Sequence, residues 1–94
     1  MVYHSKKGMK NRDRMDIITR ILVAANVSSG ATKTKIMYKA FLGFSQLGQY
    51  LTFLTERDLL SYDLDTQTFK TTVKGLNFLE VYNKIDHILT EQQI

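Results

Sequence analysis

Cysteine and proline are both missing from this 94-residue chain. Without cysteine there are no disulfides, no zinc–thiolate sites and no thiol nucleophile. Without proline, helix limits must be read from glycine, capping residues and periodicity. Long apolar runs are missing too. The longest, residues 21–25, has five residues, against about 20 for a membrane-spanning helix. The basic N-terminus is not followed by the apolar run of a secretory signal. A cytoplasmic domain is therefore expected, with no membrane partner. Its length allows one modest core, burying roughly 65% of the surface that the unfolded chain exposes.

Charge is distributed unevenly. Lys6, Lys7, Lys10, Arg12 and Arg14 face Asp13 alone in the first fourteen residues, while the other eight cations are matched by eight acids. The whole excess of +4 thus sits at the N-terminus. Residues 1–12 read either as a basic arm that touches nucleic acid or as a solvated leader.

Periodicity orders the rest. Met15, Ile18, Leu22 and Ala25 form one apolar stripe that predicts a helix over residues 13–27, with Asp13 and Asp16 at its positive end. Ser28-Ser29-Gly30 stops it. A short second helix is expected over residues 34–40, capped by Thr34, with Ile36, Met37, Ala40 and Phe41 inward and Lys35 and Lys39 outward. Gly43 can cap a third helix, with Gln46 as half of a capping box. Leu47, Leu51 and Leu54 make its buried face, Tyr50 its edge, and Ser45, Gln49, Thr52 and Glu56 its outer face.

The period then falls to two. Leu60, Tyr62 and Leu64 alternate with polar residues as a half-buried strand, and after a turn at residues 65–67 a second strand covers residues 68–71. Thr72 can cap a final helix reaching Gln92. There Phe78, Tyr82, Ile85 and Leu89 keep coiled-coil spacing, with Leu76, Leu79 and Ile88 beside them. The fold class is mainly α with a small β-hairpin, in the order α-α-α-β-β-α. That is the winged helix-turn-helix arrangement, divided into an arm (1–12), the winged domain (13–74) and a C-terminal helix (75–94).

Three segments carry a resemblance. Thr34-Lys35-Ile36-Met37-Tyr38-Lys39-Ala40 resembles the second helix of a family of small archaeal winged-helix proteins. The run from Leu42 to Leu54 is similar to that family's Leu-Ser-Tyr-x-Gln-Leu-x-x-Tyr-Leu-x-x-Leu, with Gly43 in place of the capping serine. Thr72-Val73-Lys74-Gly75-Leu76-Asn77-Phe78-Leu79-Glu80 resembles its Thr-x-x-Gly-x-x-Phe-Leu-Glu. The resemblance implies a double-stranded DNA-binding protein, a transcription regulator or chromatin-associated one. It also implies a homodimer joined through the last helix. Here that helix ends soon after Leu89, so any coiled coil is short.

On that reading, phosphates fall to Lys33, Lys35 and Lys39, to Lys70 on the wing, and to Lys6, Lys7, Lys10 and Arg12 in the arm. Ser45, Gln46, Gln49 and Thr52 are the side chains for base edges. The dimer face comprises Phe78, Tyr82, Ile85, Ile88 and Leu89. Opposing signals exist: Asp63 and Asp65 at the wing tip, and Glu56 with Asp58 after the third helix, disfavour phosphate. Phe53, placed toward solvent, suits packing against the final helix or a partner. The rival reading is a winged-helix module that binds protein through Phe53 and the acidic wing. Catalysis has no constellation: His4 lies in the arm, and His87 follows Asp86 on a helix, where neighbours do not face each other. No cofactor, metal ion or small-molecule substrate is expected.

Overall fold

The computed structural model describes the backbone of residues 2–92 and the side chains of residues 14–89. Helix α1 spans Val2–Ala25, so it begins well before the expected start at residue 13 and ends two residues early. Lys, Arg and Met are good helix formers, and no proline interrupts them. The basic segment is therefore the first part of α1; the side chains of Lys6, Lys7, Lys10 and Arg12 lie outside the described residues. At the other end Asn26 N–H turns back to the Val23 carbonyl (3.2 Å), and Gly30 N–H bonds to the Val27 carbonyl (2.9 Å). Gly30 adopts φ +78°, and a Cβ there would stand 2.7 Å from Thr68 Oγ1.

Helix α2 runs Lys33–Ala40. Its cap is Thr32 rather than Thr34: Thr32 is extended, and its Oγ1 accepts from Lys35 N–H at 3.2 Å. Phe41, expected inward, is instead the C-terminal cap in the left-handed region (φ 57°) and is exposed. The cause is the turn itself, which must leave the helix before Gly43 and carries the side chain away from the core. Helix α3, Phe44–Glu56, starts from Gly43 as expected, without a side-chain cap.

Strands β1 (Leu60–Asp63) and β2 (Thr68–Thr71) pair antiparallel, with Leu60 opposite Thr71 and Asp63 opposite Thr68. Ala31 extends this ribbon through two backbone bonds with Phe69 (2.9 and 2.8 Å). The expected alternation holds only at its start. Leu60 is buried, Tyr62 lies against Phe69 with centroids 4.7 Å apart, and Leu64 is exposed because the chain has already entered the turn.

Helix α4, Val73–Gln92, is capped by Thr72, whose Oγ1 accepts from Gly75 N–H (3.0 Å) and donates to the Asp58 carbonyl (2.6 Å). The core gathers Ile18, Ile21, Leu22 and Ala25 of α1, Ile36 and Ala40 of α2, Leu47, Leu51 and Leu54 of α3, Leu60, and Leu79 of α4. Two polar bonds tie its edges: Thr71 Oγ1 to the Leu22 carbonyl (2.5 Å), and Tyr82 Oη to Asp16 Oδ1 (2.6 Å).

Gly75 is where α4 passes closest to the chain leaving α3. A Cβ there would overlap the Leu59 carbonyl oxygen and stand 2.7 Å from Thr71 Cγ2. Backbone cannot yield as a flexible side chain does. Gly75→Ala is expected to cost about 1–3 kcal/mol despite its better helix propensity. Urea unfolding checks this: the midpoint should fall with the slope unchanged.

Candidate nucleic-acid interface

The second and third helices and the hairpin enclose an open groove. One wall is the start of α2, with Thr32, Lys33 and Thr34; the floor is the Gly48, Thr52 and Thr55 edge of α3; the far wall is Ser61, Tyr62 and Thr66 of the hairpin. Hydroxyls dominate this lining, with Lys33 as its cation and Asp58 as its acid. Lys33 is laid across α3, its Nζ 3.8 Å from the centre of the Phe44 ring. A methyl group at Gly48 would meet that ammonium at 3.4 Å, an ordinary van der Waals contact, so the lysine packs closely on this edge of α3.

The outer face of α3 is as expected at Ser45, Gln49, Thr52 and Glu56, all exposed. Thr52 Oγ1, however, donates to the Gly48 carbonyl at 3.1 Å. While that bond persists, Thr52 offers a ligand only lone pairs. Gln46 belongs to the other edge of α3. It lines a cleft against α1 with Arg14, Ile18, Tyr50 and Phe53, while Gln49 is shared between this cleft and the outer face. Phe53 lies on this side of α3 and is covered in part by Arg57, whose guanidinium carbon is 3.8 Å from the ring centre.

The three lysines of α2 do not form one cluster. Lys33 belongs to the groove, whereas Lys39, at the far end, lines a shallow hollow with Arg20, Val23 and Ala24 of α1. Lys35 is exposed between them. Along the chain, residues 17–55 contain Arg20, Lys33, Lys35 and Lys39 and no acid, while Asp58 enters the groove from beyond α3.

One acid of the wing closes the wing's own turn. Asp63 Oδ1 accepts from the N–H groups of Asp65 (2.9 Å) and Thr66 (3.4 Å), closing the turn. Lys70 stands across the ribbon from Ser61 and lines a separate hollow with Asp63, Ser28 and Ser29.

On α4 the hydroxyl of Tyr82 is engaged with Asp16 within the chain, and Phe78 is half-buried. Ile85, Ile88 and Leu89, with Val81, remain about half exposed. Among the described residues, no group of three or more His, Cys, Asp or Glu is placed to hold a metal ion, and no helix is long and apolar enough to cross a membrane.

Sequence reasoning misses Phe44, Gly48, Thr55 and Ser61. Gly48 and Thr55 follow Phe44 at +4 and +11, a helical edge legible in principle. Ser61 joins them only through the tertiary placement of the hairpin. No curated protein matches the chain. A family model described as winged helix-turn-helix matches residues 11–90, from within α1 to the last turn of α4. The chain belongs to the winged helix-turn-helix family.

Proposed function

We propose that this protein binds double-stranded DNA as a transcription regulator or chromatin-associated protein, with α3 in the major groove. The supporting observation is the junction of two surfaces: the uncharged, hydrogen-bonding face of α3, and the hydroxyl-lined groove beside it that begins at Lys33. A helix bearing Ser45, Gln49 and Thr52 has the groups that read base edges and no carboxylate before Glu56 to repel phosphate. The adjoining groove offers phosphate oxygens the Lys33 ammonium, the Thr34 hydroxyl and the first N–H groups of α2, whereas Thr52, Thr55, Ser61 and Thr72 donate their protons to carbonyls of the chain. Such binding would place the protein beside DNA in the cytoplasm or nucleoid.

Binding is expected to be salt-dependent. About five phosphate contacts, from α2 and the basic half of α1, give a log–log slope of roughly −4 to −5. Fluorescence anisotropy with a random-sequence duplex across a salt series measures it. A flat response would overturn the reading.

Base reading falls chiefly to Gln49, because Thr52 donates its proton to its own helix. Replacing Gln49 by Ala should relax preference at one position of a selected site, by about 1–3 kcal/mol, with nonspecific affinity barely moved. Thr52→Ala should do less. Site selection with randomised duplexes before and after each change compares them.

The proposal includes a homodimer. The domain covers α4 at Gly75 and Leu79, while Ile85 and Ile88 lie up to about 20 Å further along its axis. Pairing with the same helix of a second copy would bury them and set two copies of α3 at two half-sites.

A further inference from the structure

Beside the groove, α2, its C-terminal cap and the first residue of α3 carry three aromatic rings into solvent, none of them part of the groove's lining. Tyr38 is 71% exposed, Phe41 83% and Phe44 62%. A domain of this size has core enough to hide such rings, yet the chain presents them within a short stretch. Phe41 does so at the expense of strain. Its φ of 57° is a conformation that disfavours any side chain with a Cβ, and glycine is the usual occupant of such a helix end. Its N–H still closes the last helical bond, to the Met37 carbonyl. Phe41 thus stands three residues after Tyr38, with its backbone still tied to the end of the helix while its side chain leaves the helical stripe.

The surroundings are cationic. Lys33 lies over the Phe44 ring, Lys35 and Lys39 are exposed on the same short helix, and no acid occurs between residues 17 and 55. Exposed aromatic faces on an acid-free, lysine-bearing stretch of chain suit a polyanion that offers flat rings. Duplex DNA does not: its base faces are stacked inside, and only edges and phosphates are accessible. An unpaired strand offers both phosphates and base faces.

We propose that this ridge is a binding site for single-stranded DNA, in which bases stack on Phe41 and Tyr38 while Lys35 and Lys39 meet the phosphates. The rings lie outside the lining of the α3 groove, so the ring variants test the ridge apart from duplex binding there, although Lys35 and Lys39 would serve both. Lys33 touches both surfaces, reaching the groove with its ammonium while covering one face of Phe44. A strand leaving a duplex held on α3 would find the ridge next to it.

The test uses the full chain and fluorescently labelled oligomers of equal length: oligo-dT, an abasic deoxyribose-phosphate strand, oligo-rU and a blunt duplex. Phe41→Gly and Tyr38→Ala are suitable variants. The first removes the ring and the left-handed strain together, and the second places a better helix former on an exposed face, so both should melt no lower than wild type. The expected result is that wild type prefers oligo-dT over the abasic strand, and that each variant loses roughly tenfold or more on oligo-dT. Any affinity for the blunt duplex should stay unchanged. Equal binding of oligo-dT and the abasic strand would overturn the proposal, since charge alone would then explain it. Unchanged affinity in both variants, equal losses on duplex and single strand, or a clear preference for oligo-rU would overturn it as well.

Discussion

Replacing Lys33, Lys35 and Lys39 together by Ala is expected to lower duplex affinity by roughly 10²–10³-fold at about 0.1 M salt, and to flatten the salt slope by up to about 2.7. The cause is counterion release: each phosphate that a lysine neutralises adds about 0.9 to the slope. The three should not contribute equally. Lys33 lines the groove beside α3, whereas Lys39 lies with Arg20 at the other end of α2. Lys33→Ala alone should therefore cost about eight- to tenfold, the effect of one fully neutralised phosphate, and more than Lys39→Ala. The reduction should be the same for every sequence, because phosphates carry no sequence information. Stability should change little. The exposed interaction between Lys33 and Phe44 is worth about 0.5–1 kcal/mol, a few degrees in Tm for a domain of this size. An unchanged affinity in the triple variant would remove α2 from the interface.

The second large effect concerns assembly. Ile85→Asp combined with Ile88→Asp should convert a dimer into a folded monomer, halving the mass seen by sedimentation. The monomer should stay folded because neither side chain belongs to the core, whose contribution from α4 is Leu79, with Phe78 packed against it. Tyr82 and Asp16 would still hold α4 to α1. In the dimer each introduced carboxylate would be forced into an apolar seam without a partner, a penalty of several kcal/mol per charge. Tyr82→Phe is the contrasting change. It removes an intramolecular hydrogen bond and should lower stability by about 1–2 kcal/mol without altering the mass. A wild-type chain that sediments as a monomer at tens of micromolar would end the dimer proposal.

Much of this fold is legible in the sequence because its helices bury one stripe each. Leu47, Leu51 and Leu54 are all buried, and their spacing alone places Ser45, Gln49 and Thr52 outside. Thr72 is legible as a cap because a β-forming stretch ends there and a helical period begins. The failures share a cause: local signals that depend on backbone geometry at a boundary. Thr32 and Thr34 are equally good caps by type, and only the extended backbone at Thr32 decides between them. Phe41 fits the apolar stripe of α2 by spacing, but the helix has ended before its side chain can follow that stripe. Asp63 reads in sequence only as an acid that disfavours phosphate; its second role, accepting from two N–H groups of its own turn, depends on the folded turn. The groove itself is not legible. Its walls come from the start of α2 and from the hairpin, with all of α3 between them in sequence. Nothing in the local pattern of Lys33 or Ser61 announces the other.

The central claim is that the outer face of α3 and the groove beside Lys33 receive duplex DNA. Titrating isotopically labelled protein with a short blunt duplex and following amide shifts by NMR tests it most directly, because each residue reports separately. The largest shifts are expected on Lys33, Ser45, Gly48, Gln49, Thr52 and Ser61, with the exposed end of α4 unmoved. Shifts concentrated on α4 or on the acidic turn of the wing, with α3 silent, would contradict it.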